Sequence, residues 1–82
     1  MPSQRAAIEA IQTVLVIDDE PQIRRVVKNA LEGEFLRVIE ATTAREGVDF
    51  AAAEQPLLIV LDLGLPDREG IQVCRDLRAF TK

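Results

Sequence analysis

Apolar and polar positions fall along this chain in blocks, and each block has a readable period. Thr13 to Ile17 is a β-branched run without polar alternation that stops at Asp18-Asp19-Glu20, which predicts a parallel strand covered on both faces. Pro21 opens a segment in which Ile23, Val26, Val27, Ala30 and Leu31 recur at helical spacing while Arg24, Arg25 and Lys28 take the solvated face. That pattern predicts an amphipathic helix ending near Gly33. Phe35 to Glu40 reads as a second strand, interrupted by Arg37 and Glu40 as a sheet edge allows. Thr43 and Glu46 fit a capping box, and Ala44, Val48, Ala51 and Ala52 carry a helical stripe as far as Gln55-Pro56. Leu57 to Leu61 is the most apolar run, and it too ends on an acid, Asp62. After the turn-like Gly64-Leu65-Pro66-Asp67, a last helix is predicted from about Glu69 to Phe80, with Val73, Leu77 and Phe80 on one face and Cys74 beside them in the core.

The order β-α-β-α-β-α predicts an α/β fold: a parallel sheet of three strands joined by right-handed crossovers, with helices on both faces. The two uniformly apolar strands should be neighbours and the Arg-containing one an edge, so the expected spatial order is 2-1-3. In that order Leu57 to Leu61 is itself a free edge, a feature that proteins usually cover. The domain occupies residues 13–82 after an Ala-rich extension, 1–12.

Composition narrows the chemistry. Eighty-two residues make one domain, and Leu, Ile, Val and Phe supply about a third of them, enough to fold. One Cys and no His remove a disulfide framework, a Cys/His zinc site and any histidine-based catalytic couple, leaving carboxylate chemistry. Neither a membrane-length apolar run nor a signal-peptide pattern is present, so a cytoplasmic chain without membrane contact is expected. The net charge of -4 argues against direct nucleic-acid binding. Six of the 14 acidic residues (Asp18, Asp19, Glu20, Asp62, Asp67 and Glu69) account for the negative excess.

In an open α/β sheet, ligands bind beyond the carboxyl ends of the strands, where successive connections leave for opposite faces. Asp18 and Asp19 end the first strand and Asp62 ends the third, so three carboxylates should converge there. Their mutual repulsion calls for a cation, and Mg2+ suits hard oxygen ligands shared with a phosphate. A carboxylate in such a place can act as a nucleophile toward phosphorus. The plainer alternative makes these acids helix caps, Asp19 or Glu20 for the first helix and Asp67 for the last.

The segments Val-Leu-Val-Ile-Asp-Asp-Glu-Pro (14–21) and Leu-Ile-Val-Leu-Asp-Leu-Gly-Leu-Pro-Asp-Arg-Glu-Gly (58–70) resemble the receiver domain of two-component response regulators, and the stretch around Asp62 is similar to regulators of the Kdp potassium-transport type. The resemblance implies a flavodoxin-like three-layer fold. It also implies that Asp62 accepts phosphate from a histidine kinase, and that Asp18, Asp19, Asp62 and the backbone carbonyl of Gly64 hold Mg2+. Pro66 and Gly70 would shape the loop beneath the site or serve only as an ordinary turn and helix entry. Arg24, Arg25 and Lys28 stand where receivers contribute to kinase docking, although a solvated face accounts for them as well.

Receivers carry five β/α units and these residues carry three. A hydroxyl residue and a lysine that the family places on strands four and five have no counterpart here, nor do the aromatic switch position, the dimerising helices or a DNA-binding output domain. Impaired phosphorylation is expected, with the first helix short of a packing partner and apolar surface exposed on one side of the sheet and along strand three. The leading expectation is a phosphoacceptor module and not a turnover enzyme. A non-signalling, self-associating fragment is the rival. A Mg2+-dependent phosphohydrolase is less favoured, because Gly64 stands where such enzymes want a second acid.

Overall fold

The computed structural model describes residues 12–33 and 36–80. Residues 1–11 of the extension, residues 34 and 35, and the last two residues lie outside the described residues, and the extension's remaining residue, Gln12, is the first of β1.

Six elements follow in the expected order: β1 (Gln12–Ile17), α1 (Pro21–Leu31), β2 (Leu36–Ala41), α2 (Ala44–Glu54), β3 (Leu58–Leu61) and α3 (Gly70–Leu77). The sheet order is β2-β1-β3, and both pairings are parallel. Leu15 lies opposite Ile39 on one side and Ile59 on the other, and the same register carries Ile17 to Ala41 and Leu61. β1 is the centre of the molecule, with Val14, Leu15 and Val16 each 1% exposed and Ile17 fully buried. Alternation sends Leu15 and Ile17 toward α2 and α3, where Ala41, Ala44, Ala51, Leu65, Val73 and Leu77 close around them.

α2 lies close to the sheet because its buried stripe is made of small residues, Ala44, Gly47 and Ala51. Ala52, expected on that stripe, is exposed, and Gly47 takes the sheet-facing turn instead. A Cβ on Gly47 would stand 2.7 Å from Ile17 Cγ1, so the helix approaches β1 as far as a side chain-free position permits. The capping box forms with one change. Thr43 Oγ1 accepts from Glu46 N at 3.1 Å, while Glu46 Oε1 accepts from Thr42 N and not from Thr43. Gln55 ends the helix in the left-handed region, φ 46°, and Gly33 follows α1 with φ 96°.

α1 meets the other face differently. Its half-buried positions are Arg24, Val27, Lys28 and Leu31, and no residue of it is fully buried. Ile23 (44% exposed) and Val26 (65%) form an apolar strip turned away from the sheet. Arg24 thus departs from the solvated face expected for it: its Nε donates to Glu40 Oε1 at 3.2 Å, and Nη1 donates to the Asp18 carbonyl at 2.8 Å. Lys28 Nζ lies 3.8 Å from Glu40 Oε2, so Glu40 in the edge strand is the acidic partner of the helix above it.

Asp67 supplies a second long-range tie. Its two carboxylate oxygens accept from Ala44 N (2.9 Å) and Arg45 N (3.1 Å), so it caps α2 and not the helix that follows it. The N-cap of α3 is Glu69, which makes no side-chain cap bond, and Glu20 ahead of α1 makes none either. The Ala44 N–H is the main reason that the Asp67 carboxyl is held below its ordinary value of 3.8, with the Arg45 N–H adding to it against some desolvation.

Two outcomes follow from this packing. Gly47→Ala overfills the α2–β1 contact and costs about 1–3 kcal/mol, read as a lower urea midpoint at unchanged slope. For Asp67, the folded carboxyl titrates below the unfolded one, so its contribution is complete above the unfolded value and disappears as pH falls through the folded one. Asp67→Ala is therefore less stable than the parent chain at neutral pH, and the two denaturation midpoints converge in acid below the ordinary carboxylate range.

Candidate functional site

Parallel pairing places the carboxyl ends of β1 and β3 at one edge of the sheet. β1 runs into Asp18 and Asp19, β3 runs into Asp62, and Asp62 N donates to the Ile17 carbonyl at 2.9 Å, carrying the pairing to the residue itself. Each of the three acids offers a carboxylate oxygen that lies within 4.8 Å of the others. Asp18 and Asp62 are half-buried and Asp19 is exposed, so the cluster forms an open acidic lip.

The loops hold these side chains through their own main chain. Asp18 Oδ1 accepts from Glu20 N at 2.9 Å, and Asp62 Oδ1 accepts from Gly64 N at 2.9 Å. Each carboxylate therefore has one oxygen fixed by an amide two residues on, which orients the other. Asp18 N donates to the Ala41 carbonyl at 3.1 Å, and Arg24 holds the Asp18 carbonyl from the opposite side, so the first acidic loop is gripped by β2 and α1 together. Of the acids that the helix-cap alternative named for α1, Glu20 holds the N-cap position but makes no side-chain cap bond.

Beneath Asp62 the chain turns through Gly64, Leu65 and Pro66. Leu65 is buried in the core between β1 and α3, and Asp67 fastens the loop to the start of α2. A Cβ on Gly70 would stand 2.8 Å from the Leu63 Cα, so α3 can begin against this loop only with a glycine there. That close contact gives Gly70, but not Pro66, a visible part in the loop's shape. Arg68 and Asp76 form an ion pair from the loop to α3.

Arg24 and Asp67 were missed as supports of the site. Arg24 bonds to Asp18 six residues back and to Glu40 16 residues on, Asp67 to residues 22 and 23 away, and a helical period reports the face a residue occupies and nothing about such a partner. One signal was available for Arg24: Glu40 is the single acid in a strand next to a helix that carries Arg24, Arg25 and Lys28. Arg25 is exposed, in agreement with the solvated face. Cys74 departs from the core position expected for it. It is half-buried and lines the groove beside β3.

Among the described residues no helix is long and apolar enough to cross a membrane. The sequence profile of the response regulator receiver domain matches residues 14–82. The KDP operon transcriptional regulatory protein KdpE of Escherichia coli strain K12 is 52% identical over 68 residues, which is 83% of this chain and 30% of that protein. The transcriptional regulatory protein KdpE of Mycobacterium tuberculosis strain CDC 1551 is 46% identical over 67 residues, 82% of this chain and 30% of the relative. The chain thus spans about a third of the length of these curated relatives. A crystal structure of a signal receiver domain from Vibrio parahaemolyticus superposes with a TM-score of 0.76 at 28% identity, over 83% of this chain and 52% of that one. The sheet order 2-1-3, the acids at the ends of β1 and β3 and this coverage together identify the chain as a member of the response regulator receiver domain family of two-component systems.

Proposed function

We propose that Asp62 is the phosphoacceptor of this chain, taking a phosphoryl group from a sensor histidine kinase. The observation that carries the reading is the convergence of Asp18, Asp19 and Asp62 within 4.8 Å at the end of the sheet. The donor set fits Mg2+, being hard carboxylate oxygens with open space beside them, and the Gly64 carbonyl is assigned to the set on the likeness to receiver domains. When bound, the ion supplies neutralisation of charge on the phosphoryl oxygens. The chain's own part is positional. Gly64 fixes one oxygen of Asp62, and the free oxygen attacks phosphorus while the phosphorus–nitrogen bond to the kinase imidazole breaks and its electron pair returns to the ring.

The chain acts in this reading as a binding and switching module and not as a turnover enzyme, in the cytoplasm and without direct contact to DNA. The Escherichia coli relative is named a transcriptional regulator, and we assign this chain the input part of such a regulator. Transfer is slow in the chain by itself. Among the described residues the only lysine is Lys28, held against Glu40, so no ammonium group faces the acidic lip to stabilise the transferring group. A second reading, a non-signalling fragment that associates with itself, is favoured by the exposure of the apolar Leu57 and Leu58.

Amide-resolved NMR with and without Mg2+ tests the first reading, followed by incubation with a small phosphodonor and mass spectrometry. Shifts confined to Asp18, Asp19, Asp62 and Gly64, with one phosphoryl group gained more slowly than by the Escherichia coli relative and lost in Asp62→Asn, are expected. A spectrum blind to Mg2+, or phosphate found on another residue, sinks the phosphoacceptor reading and leaves the second one.

A further inference from the structure

Two of the three acids in the lip are held by their own side chains, Asp18 Oδ1 and Asp62 Oδ1 each accepting from an amide two residues on. The Asp19 carboxylate accepts no hydrogen bond among the described residues, and Asp19 is the exposed member of the three. Its place within 4.8 Å of the other two is therefore set by its main chain.

The peptide units on both sides of Asp19 are pinned. The one before it presents the Asp18 carbonyl, which accepts from Arg24 Nη1 at 2.8 Å. The one after it presents the Glu20 amide, which donates to Asp18 Oδ1 at 2.9 Å. Arg24 adds a tie through its own main chain, where its N–H donates to the Glu20 carbonyl at 3.2 Å. A single residue thus grips the acidic loop on either side of Asp19. We infer that Arg24 is a positioning residue for Asp19, holding that carboxylate where it can bind Mg2+ beside Asp62. The inference rests on the reading of the lip as a Mg2+ site and adds the residue that aims its exposed ligand.

The surroundings of Arg24 favour this role over an ordinary surface contact. Its side chain is only 13% exposed, and a guanidinium so far removed from water needs partners on more than one side. Nε donates to Glu40 Oε1 at 3.2 Å, which orients the group and leaves Nη1 aimed at the Asp18 carbonyl. A tie between α1 and β2 needs no arginine, because Lys28 Nζ already lies 3.8 Å from Glu40 Oε2. What only Arg24 supplies is a second nitrogen that reaches the loop.

Charge and position predict opposite signs. A cation beside three carboxylates repels Mg2+, so if charge alone mattered, removing it would tighten binding. If Arg24 positions Asp19, removing it weakens binding in spite of the lost repulsion, as loss of an outer partner does for other metal ligands.

A Mg2+ titration of the full 82-residue chain, followed by amide-resolved NMR with a urea midpoint for each variant, separates these. Arg24→Met keeps the aliphatic stem and removes the side-chain donors, and its apparent Mg2+ dissociation constant rises about tenfold. Arg24→Lys keeps the charge, but one nitrogen cannot stand where Nε and Nη1 both stand. Binding weakens there too, and this variant carries the test if the first fails to fold. Lys28→Met takes a cation from Glu40 without touching the loop, and its Mg2+ affinity equals the parent's or is slightly tighter. A merely structural Arg24 lowers the urea midpoint of its variants and leaves the Mg2+ affinity of the folded chain where it was. Affinity unchanged or tighter in both Arg24 variants, or an equal loss in Lys28→Met, overturns this inference and leaves the Mg2+ site standing. A parent chain blind to Mg2+ overturns both.

Discussion

The parallel pairing of β1 with β3 is the constraint on which the rest of the molecule depends. Two strands more than 40 residues apart in sequence end at the same edge because they run the same way, and whatever follows each of them is delivered to one place. Burial of Val14 to Ile17 sets the position of β1 so firmly that Asp18 has little choice of location. Apolar packing in the middle of the sheet thereby holds three like charges together at its rim, against their own repulsion.

The elements were legible because each announces itself locally. Val-Leu-Val-Ile has no polar alternation and so requires cover on both faces. Pro21 and Gln55-Pro56 punctuate helices, and the β-α alternation leaves few topologies open. The site was legible for the same reason, since the acids stand directly after buried strands and the sheet's direction does the rest. Less visible was how the apolar stripe of α1 would divide. Only Val27 and Leu31 of that stripe turn toward the sheet, while Ile23 and Val26 face outward.

What stayed hidden shares one physical property: it depends on a partner in another element or loop, brought near only by the fold. Asp67 stands two residues before the N-cap of α3 and looks like a cap of that helix, yet the N–H groups of α2 are the ones within its reach. Arg24 has the position of a surface residue on a helical wheel, yet a single acid in β2 and one main-chain carbonyl draw it down onto the sheet. Gly47 was not counted in the stripe of α2, yet it is the residue that allows the close approach of that helix to β1. Period and composition describe faces, and specific pairing appears only when the faces are brought together.

The way α1 is held has a consequence for motion. With no fully buried residue, this helix relies on two half-buried apolar side chains and on the contacts of Arg24 and Lys28 with Glu40 and the Asp18 carbonyl. Ion pairs of that kind weaken as salt rises, whereas the burial of β1 does not. A helix held with so little apolar burial opens at a cost below that of global unfolding. Each opening takes Arg24 away from the loop that carries Asp18 and Asp19. The order of the loop that carries Asp18 and Asp19 is therefore coupled to the docking of this helix, and a distant change that loosens α1 loosens that loop without touching a carboxylate.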